Sequence, residues 1–178
     1  MSGKRGQVVK AMAVIRRPRD GALLVSEHAD QARAPFQRPL GGHVEFGERS
    51  EDAVHRELLE EIGQSLRDVR LLGVLENIFD WEGSRAHEIV FVFSASLQDD
   101  TAYEIAEQRI LDHADDDKTR VVWRGPGTAS PPLYPDGVAG LITPEPPADS
   151  TALPPPSRAR KEPPMVAPAP MTIGRETT

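Results

Sequence analysis

The sequence predicts a mixed α and β domain followed by a proline-rich tail. Three observations predict it: short apolar runs of strand length parted by turn residues, one well-delimited amphipathic helix among them, and proline gathered towards the C-terminal end. Of 17 prolines in 178 residues, only Pro18, Pro35 and Pro39 precede residue 126. The length suits one domain with an extension rather than two full domains.

Gln7–Arg16 (QVVKAMAVIR) reads as a first strand. Arg17-Pro18-Arg19-Asp20-Gly21 is a turn, with Gly21 free to take positive φ. Ala22–Glu27 returns as a second strand. Pro35 and Pro39 then mark a loop leading to Gly41-Gly42, and His43–Phe46 is a short extended piece closed by Gly47. The helix follows, with Ser50 as its expected N-cap, Glu51 and Asp52 in the acid-favouring first turn, and Gly63 as the left-handed residue that ends it. Leu71–Ile78 and His87–Leu97 read as two strands joined around Asp80-Trp81-Glu82-Gly83. Both faces of the second are mostly apolar, so a central, doubly covered strand is expected. Thr101–His113 is read as a second helix, Val121–Trp123 as a short strand, and Asp136–Ile142 as a closing helical turn. The domain is therefore placed at 1–142. Residues 143–178 lack periodicity and large apolar side chains in number, and are expected to form a disordered, partly polyproline-like tail.

Composition narrows the chemistry. With no cysteine there is no disulfide, no thiolate zinc site and no cysteine nucleophile. The five histidines (28, 43, 55, 87 and 113) show no H-x-x-x-H spacing, which argues against a histidine zinc site. No apolar run approaches the roughly 18–20 residues of a membrane helix. The N-terminus leads into a strand without a signal-peptide pattern, so the expected location is cytoplasmic and no membrane partner is expected. The net charge of −7 hides a gradient: +5 over residues 1–40, −12 over 41–142 and zero beyond. An acidic centre disfavours a nucleic-acid polymer as partner and suits divalent cations.

The stretch Glu48–Gly63 (ERSEDAVHRELLEEIG) carries the sharpest signal. At about 100° per residue, with Glu57 at zero, Glu60 falls near about −60° and Glu61 near about +40°. Val54, Leu58, Leu59 and Ile62 make the expected buried stripe, with the acids at its edge. For a bare helix this is poor electrostatics. Glu57 and Glu61 repel at i,i+4 by about 0.2–0.5 kcal/mol. Glu60 and Glu61 lie in the last turn, where the helix dipole repels an anion by about 0.3–1 kcal/mol. Arg56 offsets only part of this. One reading is a solvated acidic face; the other is a compensating divalent cation such as Mg²⁺, which takes hard oxygen ligands.

Gly42, five residues, Glu48, seven residues, Arg56-Glu57-Leu58, one residue, Glu60-Glu61, one residue and Gly63 resemble the signature of the Nudix hydrolases, with every fixed position filled. The signature spans Gly42 to Gln64, where Gln64 stands at a usually aliphatic position. The surrounding similarity covers about 1–142, including PLGGHVEFGE and the run Leu133-Tyr134-Pro135-Asp136-Gly137. The resemblance implies an α/β/α sandwich with a mixed sheet. It also implies Mg²⁺ or Mn²⁺ as cofactor and hydrolysis of a nucleoside diphosphate linked to another moiety. By the same resemblance Glu57, Glu60 and Glu61 are metal ligands, Glu48 binds the metal too or stands directly behind them, and a backbone carbonyl of Gly41 or Gly42 adds another. Arg56 orients the glutamates. The general base is then Glu57, Glu61 or a downstream acid such as Glu104 or Glu107.

Substrate choice is less marked. Phe79, Asp80, Trp81 and Glu82 stand where relatives carry the proline or tyrosine markers of ADP-sugar or dinucleoside-polyphosphate cleavage. Phe36, Arg38, Gly42 and Trp81 are the expected substrate contacts, with Phe79 and His87 as further candidates; packing is the plainer role for each. Pro131-Pro132-Leu133-Tyr134 also fits a Pro-Pro-x-Tyr ligand, though the closing segment of the domain is the stronger reading. Partners are thus a small nucleotide-derived diphosphate and, by resemblance, a homodimer. The rival to an enzyme is a Nudix-like module that binds a nucleotide without cleaving it.

Overall fold

The computed structural model describes residues 6–30, 33–81, 84–111 and 119–142. β1 (Val8–Ile15) is apolar at every position but Lys10, so both of its faces can pack against a core. The chain reverses at 17–21, where Arg17 grips Asp20 through Nε and Nη2 at 2.9 and 2.6 Å and Ala22 N–H donates to Asp20 Oδ1 at 3.1 Å. These bonds, the Arg17 guanidinium first, hold the Asp20 carboxyl down to about 2. Gly21 takes φ +72°, as the turn requires.

β2 (Leu23–Asp30) and β3 (Arg33–His43) follow as an antiparallel pair. The expected loop around Pro35 and Pro39 is instead strand. Nitrogens two residues apart face the same edge of a strand, so Pro35, Gln37 and Pro39 share one. On that edge Gln37 N–H donates to Pro132 O at 2.9 Å, away from β2. The prolines therefore delete no bond of the β2 ladder.

α1 (Ser50–Ile62) is the helix the carboxylate pattern predicts. Its N-cap is Arg49, with no side-chain cap bond, and Ser50 is the first helical residue instead of the expected cap. Gly63 ends it at φ 67°, with its N–H bonded back to Leu59 O at 2.9 Å and the Gln64 N–H to Leu58 O at 3.4 Å. The buried arc differs from the expected one. Leu59 is 55% exposed, whereas Ala53, Val54, Leu58, Ile62 and the charged Glu61 are buried.

β4 (Leu66–Trp81) and β5 (Ser84–Leu97) form a long hairpin, with β4 starting five residues before the expected strand. Beyond it the expected helix over 101–113 is absent among the described residues. A 3₁₀ turn, Asp100–Glu104, capped by the Asp99 side chain, gives way to β6 (Glu107–Arg109). Tyr103 Oη accepts Leu97 N–H at 2.8 Å, and Trp123 Nε1 donates to Ile105 O at 2.7 Å. Both bonds anchor the chain before a helix can propagate. β7 (Thr119–Arg124) and the one-turn α2 (Val138–Leu141) complete the domain. The proline-rich tail, 143–178, lies outside the described residues.

The strands form a mixed sheet in the order β4-β5-β1-β3-β2-β7-β6, parallel only between β1 and β5. β5 is an inner strand, second from the β4 edge, and not the centre of the sheet that its sequence predicts. β3 pairs with β2 through Arg33–Pro39 and crosses to β1 through Leu40–His43. One core packs Ala11, Ala13 and Ile15 against Val54, Leu58 and Ile62 of α1. On the other sheet face Met12 and Val14 pack with Val90, Val92 and Val138. The layers are therefore α/β/α. Among the described residues no helix is long and apolar enough to cross a membrane.

Candidate active site

The site forms where the end of β3 meets the last two turns of α1. Arg56 is its hub, with all five guanidinium N–H donors placed. Nε and Nη2 clasp the Glu48 carboxylate at 2.9 and 3.0 Å. Nη1 donates to Glu57 at 3.0 Å and to Glu60 at 2.8 Å, and Nη2 also donates to the His43 carbonyl at 2.8 Å. A planar fork suits this multidentate work where lysine would not. The Glu48 carboxylate, with its neighbours Glu57 and Glu60, raises the Arg56 pKa well above its ordinary value despite partial desolvation. In return Arg56, helped by the Glu45 N–H at 2.9 Å, holds the Glu48 carboxyl below the usual carboxylate range.

Glu61 is held differently. It is 5% exposed and accepts the Gly41 N–H at 2.8 Å. That backbone donor is what lets an acid replace Leu59 in the buried arc. The two glycines make the close approach possible. Gly41 has φ +129°, and a Cβ there would collide with Ala11 O and lie 2.8 Å from Met12 Cα. Gly42 faces the Glu57 carboxyl group itself, which a Cβ would overlap. Three carboxylates thus share one guanidinium while Glu61 is held by the Gly41 N–H, and no basic residue lies in the last turn of α1.

The donor set is all oxygen, the kind that suits Mg²⁺ or Mn²⁺. Among the described residues no three acidic or histidine side chains already converge as a metal cage. Glu48, Glu57 and Glu60 are instead drawn towards Arg56. Their surplus charge, and a glycine cradle that fixes Glu57, fit a divalent cation.

A cavity of about 520 Å³ lies on the opposite face of β1, the one bearing Lys10 and Met12. Phe36 and Arg38, both expected substrate contacts, line it, as does Phe79. Met12, on its floor, pairs across the sheet with Gly41. Trp81 ends β4, and its side chain lies outside the described residues. His87 is engaged by Glu76 at 2.8 Å across the hairpin. Glu104 and Glu107 are spent in ion pairs with Arg19 (2.6 Å) and Arg120 (3.5 Å), and neither is among the acids around Arg56.

The Pro-Pro-Leu-Tyr run is docked rather than displayed. Tyr134 N–H donates to Gln37 O at 2.8 Å, and buried Arg124 donates to Gln37 Oε1, Pro131 O and Thr128 O. Tyr134 thereby joins the cavity wall. Lys10, Asn77 and Glu88, also on that wall, escaped the sequence reading. The alternation of Glu88, Val90 and Val92 placed an acid on an apolar strand face, which was the available signal.

Comparison with known proteins agrees with this architecture. The NUDIX domain family model matches residues 6–132. A MutT NUDIX hydrolase from Burkholderia pseudomallei is 24% identical, with a TM-score of 0.56 over 78% of this chain and 97% of that one. A NUDIX hydrolase from Nitrosomonas europaea is 25% identical, with a TM-score of 0.48 over 67% and 73% of the two chains. The E. coli ORF135 protein is 24% identical, with a TM-score of 0.48 over 79% and 90%. With the family model spanning well over half of its length, the chain belongs to the Nudix hydrolase family.

Proposed function

We propose that the protein is a metal-dependent pyrophosphohydrolase. It hydrolyses the diphosphate linkage of a nucleoside diphosphate joined to another moiety. The observation that carries this reading is the gathering of Glu48, Glu57 and Glu60 on Arg56, with buried Glu61 of the same helix held by the Gly41 N–H.

Glu57, Glu60 and Glu61 would hold Mg²⁺ or Mn²⁺, with Glu48 behind them and the Gly41 carbonyl beside them. The cation supplies neutralisation of diphosphate charge and a more acidic water. The chain's own residues do the rest. Arg56 fixes the glutamates in one arrangement, so little reorganisation is needed when substrate arrives. Glu57 or Glu61 would take the proton of the water that attacks phosphorus, since Glu104 and Glu107 are engaged by Arg19 and Arg120. Phe36 offers a flat apolar surface, and Arg38 a cation, to the organic part of the substrate.

Glu60→Gln and Glu61→Gln each lower kcat by about 100-fold or more while the fold is kept. Removing acidic repulsion leaves thermal stability without metal equal or higher. Product chromatography on a panel of ADP-ribose, nucleotide sugars, dinucleoside polyphosphates and oxidised dNTPs, with Mg²⁺, checks this. Wild-type turnover in either variant refutes the ligand assignment. Nucleotide binding with no cleavage in the wild type points to the non-catalytic module.

A further inference from the structure

Arg124 ends β7 and is only 8% exposed. Its acceptors are all neutral. Nη1 donates to Gln37 Oε1 and to Pro131 O, the latter at 2.6 Å, and Nη2 donates to Thr128 O. Burial alone moves its pKa, and moves it below the ordinary value. A charge kept from water without a counter-charge is costly, and an apolar side chain would fill the space at less cost. The guanidinium is therefore there for what it holds.

It holds the stretch after β7. Pro126, Pro131 and Pro132 have no N–H, so this stretch builds no ladder of its own and is tied through its carbonyls instead. Thr128 O and Pro131 O take Arg124, and Pro132 O takes the Gln37 N–H at 2.9 Å. Tyr134 N–H then returns to Gln37 O at 2.8 Å. The Gln37 side chain is fixed at both ends, because Nε2 donates to Glu27 Oε2 at 2.8 Å while Oε1 accepts Arg124. Glu27 is itself held by Arg120 Nη2 at 2.5 Å. The clamp finishes at Tyr134, whose ring meets Phe36 edge-on at 5.9 Å. Phe36 is backed by His28 of β2, stacked at 4.8 Å. One side of this ring pair is thus fixed by the sheet, and the other hangs on Arg124.

We infer that Arg124 is a positioning residue for the proposed reaction: through Gln37 and the carbonyls of Thr128 and Pro131 it sets Tyr134 against Phe36, and so governs how tightly substrate is held. The inference rests on the hydrolase reading above, which puts the organic part of the substrate against Phe36. Arg124 is not among the residues lining the cavity and acts only through Tyr134. A guanidinium suits the task, since its planar fork fixes several acceptors at once, which a lysine would not.

Steady-state kinetics on the substrate panel above and calorimetric binding of AMP, GMP, CMP and UMP, all on the full chain, test this. Arg124→Met raises KM about 10-fold and leaves kcat within about 3-fold, the mark of lost binding rather than lost chemistry. Tyr134→Ala does the same. Arg124→Met added to Tyr134→Ala costs less than about 2-fold more, because the first acts through the second. The Kd of the tightest-bound monophosphate follows the same pattern. Gln37→Leu leaves Arg124 its two carbonyls, raises KM by about 3-fold, and keeps the test open should Arg124→Met fail to fold. Leu97→Val, in the core on the other sheet face, lowers Tm without moving KM and so controls for lost stability. Unchanged KM and Kd in Arg124→Met and Gln37→Leu, or effects of Arg124→Met and Tyr134→Ala that multiply, overturns the inference and leaves the hydrolase reading standing. Coupled losses of nucleotide affinity in a wild type that cleaves nothing sink the hydrolase reading and leave the role of Arg124 standing. Neither binding nor cleavage sinks both.

Discussion

Gly42→Ala lowers kcat by about 100-fold and moves Tm by only a few degrees. The Cβ would occupy the space of the Glu57 carboxyl group. That group is the far end of a flexible side chain and swings away at little cost to the fold. Glu57 then leaves Arg56 Nη1 and the other acids, and misplacement by about 1 Å is enough for such a loss. Gly41→Ala behaves oppositely. Its φ of +129° and the crowding by Ala11 O and Met12 Cα are backbone constraints. Left-handed strain of about 1–3 kcal/mol and overpacking of about 1–3 kcal/mol add together there. Thermal melts and steady-state kinetics on the two variants separate the effects. Equal damage to stability in both would show that Glu57 is not the group Gly42 accommodates.

Arg56→Ala costs both activity and stability. Three carboxylates lose their shared cation, and the His43 carbonyl loses its donor. A fall of about 100-fold in kcat and about 5–10 °C in Tm is expected at pH 7. The pH dependence has a definite sign. Arg56 depresses the Glu48 pKa in the folded protein. The stability this brings is fully present above the unfolded carboxylate pKa, about 4.3. It is lost as pH falls through the depressed folded value. The Tm gap between wild type and Arg56→Ala therefore narrows on acidification below that unfolded value. Arg56→Lys keeps a charge but not the fork, and recovers stability better than kcat. A gap that widens on acidification contradicts the role given to Glu48.

Much of α1 was legible because its signals are local. Gly63 as terminator, Glu51 and Asp52 in the first turn, and the grouping of Glu57, Glu60 and Glu61 all follow from spacing along one helix. Their partners are less local. Glu61 is buried because it meets Gly41 N–H, twenty residues away, and no period of 3.6 foretells that. Pro35 and Pro39 look like loop residues until the edge their nitrogens face is known, and Pro132 defines that edge. Glu88, Lys10 and Asn77 come from three strands that only sheet register brings together. In the sequence Phe36 and Arg38 stand out only by lying just before the glycine pair. The structure gives a different reason, since β3 leaves β1 at Leu40 and opens the cavity they line.

On the proposed function, surplus acid around Arg56 is tolerated because a divalent cation sits among the carboxylates. Calorimetric titration of Mg²⁺ and Mn²⁺ into the wild type and into Glu57→Gln with Glu61→Gln, each with and without nucleotide, tests it most directly. Saturable uptake by the wild type, tighter with nucleotide present and lost in the double variant, is the expected result. No uptake by the wild type under either condition, or equal uptake by the double variant, would contradict it.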